Sequence, residues 1–132
     1  ILMEIKGDKV VINKSAEAVF DFLNQVENFE QLMPESISKF EVLGPNAFLF
    51  ALKGMPEIAL ETKSSVRPTQ LVLGAKSDKL PFNLTGDLTP SGDNSCQIEL
   101  CFSGDFNPMM AMMIKGPITK FIETLTTNLQ KI

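Results

Sequence analysis

The chain has 132 residues, a formal net charge of −4 and no histidine, with 44% hydrophobic and 21% charged residues. This length and balance are typical of one globular domain, so we expect residues 1–132 to form a single domain with its own core. The acidic charge excludes a general nucleic-acid-binding protein, which needs a basic face to neutralise phosphates.

The location of the protein is predicted from the lack of a membrane-spanning or signal-peptide pattern and from its cysteines. No apolar run approaches the ~18–20 residues of a membrane-spanning helix, and the opening residues ILMEIKGDKV lack the layout of a signal peptide. Cys96 and Cys101 are five residues apart, so on one strand they face opposite sides and should not pair. We therefore predict a cytoplasmic protein with free thiols and no integral membrane segment. Export remains open, because a signal peptide removed before Ile1 would leave no trace.

The first fifty residues predict one strand and two short helices. Val10–Ile12 reads as the end of a first strand, and Ser15 is a good N-cap for a helix over Ala16–Asn24. A second short helix, about 27–33, is stopped by Pro34.

From 37 to 106 the apolar period changes to two, which is typical of antiparallel strands with one wet face. Turns are predicted at 44–46 and 53–56, and about six strands fit the segment. The positions predicted to share the inner face are Phe40, Val42, Phe48, Phe50, Leu52, Ile58, Leu60, Thr62, Ser64, Val66, Leu71, Leu73, Phe82, Leu84, Leu88, Ile98, Leu100 and Phe102.

A long helix closes the chain, with Asn107 as N-cap and Pro108 at its first position. One apolar stripe is predicted along it: Met110, Ile114, Pro117, Ile118, Phe121, Leu125 and Ile132. Since only this helix is long enough to cover the apolar face of the sheet, the chain reads as a two-layer α+β protein.

In the order of its predicted elements, the chain resembles the START-like, or birch-pollen-allergen-like, helix-grip superfamily (SRPBCC). This superfamily includes polyketide cyclases and small bacterial lipid-carrier-like proteins. The resemblance lies in VVINKSAEAVF over 10–20, in NFEQLMP over 28–34, and in Asn107-Pro108 before an apolar helix. It departs from the family in the second helix, where the usual aromatic is often Trp and is here Phe29. The resemblance implies a curved antiparallel sheet of about seven strands wrapped around the long C-terminal helix, with two short helices after the first strand.

The resemblance also implies a cavity between helix and sheet that commonly holds an apolar small molecule. The predicted wall of this cavity is Phe40, Phe48, Phe50, Leu60, Leu73, Phe82, Leu84, Leu100, Phe102 and Phe121. The ten Phe of the chain, with no Tyr or Trp, would make a dry lining. The alternative is that these rings fill the core at ordinary density.

Two features of the last helix bear on such a cavity. Met109, Met110, Met112 and Met113 are flexible side chains that could line an adjustable mouth, with Met110 and Met113 facing the cavity, or could be plain core and surface residues. Pro117 removes a backbone hydrogen bond to Met113 and should bend the helix, which would either widen the cavity or only fit a twisted sheet.

Thr62 and Ser64 are the polar positions predicted on the inner face, and Asn128 or Thr124 could join them. A few placed polar groups in an apolar cavity are typical of a ligand site. The alternative is that both hydroxyls lie near the end of the sheet and meet water.

Enzyme signals are weak, and no cofactor or metal is expected. The chain has no histidine for general-base chemistry, no phosphate-binding glycine loop and no zinc spacing. Cys96 points inward by alternation and reads as a small core residue. The remaining acid–base candidates are Asp21, Glu30, Glu57, Glu61, Asp87, Glu99 and Asp105.

Three functions follow. The leading hypothesis is non-catalytic binding of a small hydrophobic or amphipathic molecule, such as a lipid, quinone or polyketide-like compound. One alternative is a cyclase-like or hydrolase-like enzyme with a buried pocket carboxylate. The other is an interaction module, including a homodimer, through an apolar patch around Met109 and Met112.

Overall fold

The computed structural model describes residues 2–55, 57–76 and 82–132. It contains a long α-helix, a short one, a 3-10 helix and eight strands. In chain order the elements are β1 (Leu2–Lys6), β2 (Val10–Ile12), α1 (Ala16–Asn24), the 3-10 helix (Val26–Leu32), β3 (Ile37–Gly44), β4 (Ala47–Leu52), β5 (Ile58–Val66), β6 (Gln70–Ala75), β7 (Phe82–Gly92), β8 (Ser95–Asp105) and α2 (Pro108–Leu129).

The strands form one antiparallel sheet in the order β1-β8-β7-β6-β5-β4-β3, with β2 also paired to β8. From β3 to β8, consecutive strands are neighbours, so this part is a meander as predicted. The chain then returns through α2, which packs on β1, β8 and the 3-10 helix. The predicted two-layer arrangement, a curved sheet around a long C-terminal helix, is confirmed.

The prediction of one first strand is wrong, because the N-terminal segment forms two. Lys6 pairs with Cys101 and Val10 pairs with Ile98. The distance from Lys6 to Val10 is four residues, whereas the distance between their partners on β8 is three. The extra residue interrupts the ladder. Gly7 lies at the break, where its N–H donates to the Leu100 carbonyl over 2.8 Å.

The first two helices follow the sequence closely. α1 has its predicted limits, and the Ser15 hydroxyl caps it by accepting from the Ala18 N–H at 3.1 Å. The second helix is 3-10 and runs one residue earlier than predicted, over Val26–Leu32. Its turn is fixed by the amide of Asn28, which donates to the Phe22 carbonyl at 2.9 Å.

The long helix begins as predicted, with the Asn107 side chain accepting from the Met110 N–H at 2.8 Å and Pro108 in the first turn. Its buried face is wider than the predicted stripe, because α2 contacts the 3-10 helix and β1 as well as β8. The buried residues are Ile114, Ile118, Phe121, Ile122, Leu125, Thr126 and Leu129. Met110 and Pro117 are half-buried, and Ile132 lies beyond the helix end. Neither helix of the described residues is both long and apolar enough to cross a membrane.

Candidate functional site

The space between α2 and the sheet is the predicted site, and the structure brings most of its predicted residues together there. Nine of them are buried: Phe48, Phe50, Leu60, Leu73, Phe82, Leu84, Leu100, Phe102 and Phe121. Four are half-buried: Phe40, Thr62, Met110 and Pro117. Ser64 and Met113 are exposed. The predicted wall is therefore a contiguous apolar surface, with the exceptions at its rim.

Stacked phenylalanine rings occupy the middle of this space. Phe48 stacks on Phe29 with ring centres 4.9 Å apart and on Phe40 at 5.5 Å. Phe121 of α2 stacks on Phe50 at 4.9 Å with the planes 9° apart. A second group joins Phe82 to Phe102 and Phe102 to Phe106. The sequence left open whether these rings line a cavity or fill it; here they fill most of it.

Among the described residues, two small voids lie beside the rings, each of about 10 Å³. The first, the Met110 void, is lined by Met55, Ile58, Phe82, Phe102, Phe106, Met110, Ile114 and Ile118. The second, the Leu129 void, is lined by Leu23, Phe29, Leu32, Leu71, Leu73, Leu84, Gly86, Leu100, Leu125 and Leu129. Each is about the size of one water molecule, and without polar partners such a space stays dry.

The predicted inward position of Ser64 is wrong. The register of β5 against β6 shifts between Thr62 and Ser64, and this irregularity breaks the alternation of faces. Thr62 is half-buried, whereas Ser64 is exposed. Val66 and Val42, which were also predicted on the inner face, are 58% and 45% exposed, so those two predictions are wrong as well. The hydroxyl of Ser64 therefore lies outside the space between α2 and the sheet.

Two polar side chains of α2, Asn128 and Thr126, form hydrogen bonds within the protein. The Asn128 amide donates to the Leu32 carbonyl over 2.9 Å and so ties α2 to the 3-10 helix. Thr126 is the buried polar residue of the described chain, and its hydroxyl donates to the Ile122 carbonyl over 2.8 Å. These two donors are therefore already used within the protein.

The methionines near the start of α2 divide into two sets. Met110 is half-buried and lines the Met110 void. Met109, Met112 and Met113 are 81%, 83% and 49% exposed. Because residues three and four apart share a face of a helix, these three form one surface band, the methionine stripe. Met113 was expected to face the cavity, and its exposure places it in this stripe instead.

Sequence reasoning missed two surface grooves that flank α2. One, of about 400 Å³, is lined by Pro34, Ser36, Leu52, Lys53, Gly116, Pro117, Lys120 and Phe121, and we call it the Lys53–Lys120 groove. The other, of about 320 Å³, is the Thr126 groove, lined by Ile5, Lys6, Gly7, Asp8, Val10, Thr119, Ile122, Glu123, Thr126, Thr127 and Gln130. Each is assembled from segments far apart in the chain, so the sequence carried no local signal for them.

The candidate acids lie at the surface. Glu61 and Glu99 are half-buried, and the other candidates, Asp21, Glu30, Glu57, Asp87 and Asp105, are exposed. The Arg67 guanidinium, 2.9 Å from Asp21, lowers the pKa of that carboxyl through their hydrogen bond. The hydrogen bond from Lys63 likewise lowers the pKa of Glu61. Both groups therefore remain ionised near neutral pH and resemble ordinary surface carboxylates.

The two thiols are free, and Cys96 is buried as predicted. Burial raises the pKa of the Cys96 thiol, and the nearby Glu17 carboxylate raises it further. Burial raises the pKa of Cys101 as well. Since the thiolate is the nucleophilic form, neither environment favours cysteine chemistry. In the part of the chain that the structure describes, no three Cys, Asp or Glu side chains are grouped to hold a metal ion.

The arrangement of sheet and helices matches solved structures over nearly the whole chain. Norcoclaurine synthase from Thalictrum flavum superposes with a TM-score of 0.75 at 13% identity, covering 99% of this chain and 86% of that one. A START superfamily protein from Mycobacterium smegmatis gives 0.68 at 13% identity, covering 98% and 94%. A conserved protein from Geobacillus kaustophilus gives 0.67 at 17% identity, covering 98% and 93%.

This chain has the START-like, helix-grip fold. No protein-family model matches its sequence, and no curated protein does either. One structure of the Thalictrum flavum enzyme is a complex with dopamine and hydroxybenzaldehyde. At these identities the helix-grip likeness extends to the fold, so the function of this chain has to be argued from its own side chains.

Proposed function

We propose that this helix-grip protein binds a small hydrophobic or amphipathic molecule, such as a lipid, a quinone or a polyketide-like compound, between the sheet and α2. The observation that carries the proposal is the composition of that space. Among the described residues, Thr126 is the one buried polar side chain, and its hydroxyl is already bonded inside α2. Such a lining favours an apolar guest and offers no group for chemistry.

The binding of small organic molecules by a protein of this fold supports the proposal. Norcoclaurine synthase, with the same fold, forms a complex with dopamine and hydroxybenzaldehyde. The fold therefore accommodates a small molecule in at least one protein.

A guest has to displace side chains in this protein. The voids hold about 10 Å³ each, whereas ligand pockets usually measure ~300–1,000 Å³. The Met110 void is the place where displacement costs least, because Met55 and Met110 on its wall are half-buried and flexible. The first turns of α2, from Pro108 to Met113, contain no buried residue. We propose that they move outward to admit the guest.

The test combines a search for a natural guest with a matched pair of variants. Native mass spectrometry of protein purified from its own host, followed by lipid extraction, should reveal an apolar compound. Saturable binding of Nile red, a neutral apolar dye, should weaken in Met110→Phe, because a rigid ring replaces an adaptable wall. Met109→Phe makes the same change at an exposed site and should bind like the parent. The absence of both a guest and saturable dye binding would reject the proposal, as would equal losses in the two variants.

A second candidate function, self-association, is favoured by the exposure of the methionine stripe. Three neighbouring methionines on one helical face form an apolar band of a kind that often marks contact surfaces. We propose a second copy of the chain as the occupant. Met112→Glu should shift a dimer to a monomer on a calibrated sizing column, and an unchanged elution volume would argue against this role. An enzyme with a pocket carboxylate gains no support, since none of the described carboxylates is buried.

A further inference from the structure

The Lys53–Lys120 groove lies on the outer side of Phe121, between α2, the end of β4 and the link from the 3-10 helix to β3. It is open to solvent and has a volume of about 400 Å³, within the usual range of ~300–1,000 Å³ for small-molecule sites. Unlike the interior, it exists without any movement of α2. It is therefore a separate candidate site.

The walls of the groove are held together by hydrogen bonds and by packing. The Lys53 N–H donates to the Ser36 carbonyl at 3.2 Å, which joins the β4 end to the link before β3. On the α2 side, Phe121 is anchored by its stack on Phe50. Gly116 leaves the opening wide, because a Cβ at this position would meet no atom within 4 Å. The backbone at the β4 end and the Phe121 ring are therefore held in place without a ligand.

The charged side chains that line the groove are positive. Among the described residues, two lysines and no carboxylate line it. The Thr126 groove on the other side of α2 has the opposite balance, with Lys6 against Asp8 and Glu123.

The two lysines of the groove form no ion pair, a property that among the described residues they share with Lys9, Lys14, Lys76, Lys115 and Lys131. Lys6, Lys39, Lys63 and Arg67 each form an ion pair. Among the described residues, neither the Lys53 nor the Lys120 ammonium has a carboxylate within 4.0 Å. An acidic protein thus keeps two unneutralised cations at one groove, and this complements an anionic ligand.

The remaining walls are mostly apolar. Pro34, Leu52, Pro117 and Phe121 line the groove beneath the lysines. A small inorganic anion would leave this surface uncovered, whereas a neutral apolar molecule would leave the lysines without partners. A ligand with both parts satisfies both surfaces.

We propose that the Lys53–Lys120 groove binds an amphipathic anion: a molecule with one carboxylate or phosphate head and an apolar body. The head lies between the two ammonium groups, and the body covers Leu52, Pro117 and Phe121. The site does not depend on the opening of the interior.

Calorimetric titration with dodecanoate, below its micelle concentration, tests the proposal. We expect a binding site whose affinity falls as salt is added, because exposed charges are screened. Lys53→Gln combined with Lys120→Gln should weaken binding by about tenfold, the usual scale for two exposed ion pairs. Lys14→Gln combined with Lys131→Gln removes the same charge outside the groove and should leave the affinity unchanged.

Dodecanol and acetate separate the two parts of the ligand. Each should bind the groove far more weakly than dodecanoate, since each lacks one part. Equal binding of dodecanoate and dodecanol, unaffected by the lysine changes, would reject the groove while supporting binding in the interior. Saturable binding of acetate with the affinity of dodecanoate would reject the apolar part of the proposal. No dodecanoate binding at all would reject the groove site and leave the interior to be judged by Nile red.

Free dodecanoate and the lipids of an anionic bilayer both present a negatively charged head on an apolar body. Co-sedimentation with vesicles of phosphatidylglycerol, compared with phosphatidylcholine, distinguishes these sources. We expect dodecanoate to bind and both vesicle types to leave the protein in the supernatant. Sedimentation with phosphatidylglycerol vesicles, lost in the groove double variant, would overturn the assignment to a free amphiphile.

Discussion

The two halves of α2 have the same covalent backbone and opposite surroundings. From Ile114 to Leu129 the helix contributes seven buried residues, and Asn128 bonds it to the 3-10 helix. From Pro108 to Met113 it contributes none, and three methionines there are exposed. The C-terminal half therefore stabilises the fold. The N-terminal half has little packing to lose if it moves, which is the property that a movable wall requires.

Removing the ring of Phe121 should change the free energy of unfolding more than any other substitution considered for the two parts of α2. Phe121→Ala takes away a buried ring stacked on Phe50 and should lower the free energy of unfolding by about 3–5 kcal/mol. Met112→Ala, in the other half, should change it by less than about 0.5 kcal/mol. Urea unfolding followed by circular dichroism measures both, with Phe121→Leu as a milder substitute if the alanine variant does not fold. Similar losses in the two halves would contradict the division of α2.

Adding a methyl group at Gly7 should give the next largest effect. Its Cβ would lie 2.9 Å from Ile122 Cγ2 and 2.9 Å from Thr126 Oγ1, so these α2 side chains or the backbone at Gly7 would have to shift. Gly7→Ala should therefore lower the free energy of unfolding by about 1–3 kcal/mol. At Gly44 an added Cβ meets nothing within 4 Å, so Gly44→Ala is the control and should be nearly neutral. Equal denaturation midpoints for the two would show that the approach of Gly7 to α2 is loose.

Removing the Asn128 amide tests the bond between α2 and the 3-10 helix. Asn128→Ala leaves the carbonyl of buried Leu32 without this donor and should cost about 1–2 kcal/mol of unfolding free energy. Gln130→Ala, two residues on at an exposed position, controls for general effects at the helix end. Amide hydrogen exchange adds a local measure, because the loss should speed exchange in the 3-10 helix. Unchanged exchange there would mean that the bond does not hold the two elements together.

The smallest predicted effect has the opposite sign. Gly116 is exposed within α2, and a Cβ there meets no atom within 4 Å. Gly116→Ala should therefore raise the free energy of unfolding by about 0.5–1 kcal/mol, since glycine loses more backbone entropy in a helix than alanine does. Thermal unfolding should show a higher midpoint. A lower midpoint would indicate that the Gly116-Pro117 step needs a backbone shape that alanine resists.

Local structure was the most predictable part of this protein. The limits of α1, its Ser15 cap and the Asn107-Pro108 start of α2 all agreed with the sequence, because capping and helical spacing depend on neighbouring residues. The one predicted first strand failed because the break at Gly7 is set by the approach of α2 and by pairing with β8. The inward position of Ser64 failed for a similar reason, since a register shift between strands has no mark in either strand alone.

The apolar composition of the space between α2 and the sheet was predictable, and its shape was less so. Phe50 and Phe121 were correctly placed on facing walls, yet the closeness of their stack, which fills the hollow, became visible only in three dimensions. Lys53 and Lys120 are 67 residues apart and read separately as surface charges. They line one groove only because β4 and α2 meet beside the link before β3.

By itself the sequence determined an apolar sheet face, a long covering helix and an interior almost free of polar groups, because the periods of two and of 3.6 residues assign each side chain to a face. Only the tertiary structure decided how much room remains between those faces and where unpaired charges gather. Both depend on distances between segments remote in the chain. The ångström-scale fit of one layer against another is a property of all the side chains together, and no single stretch of residues contains it.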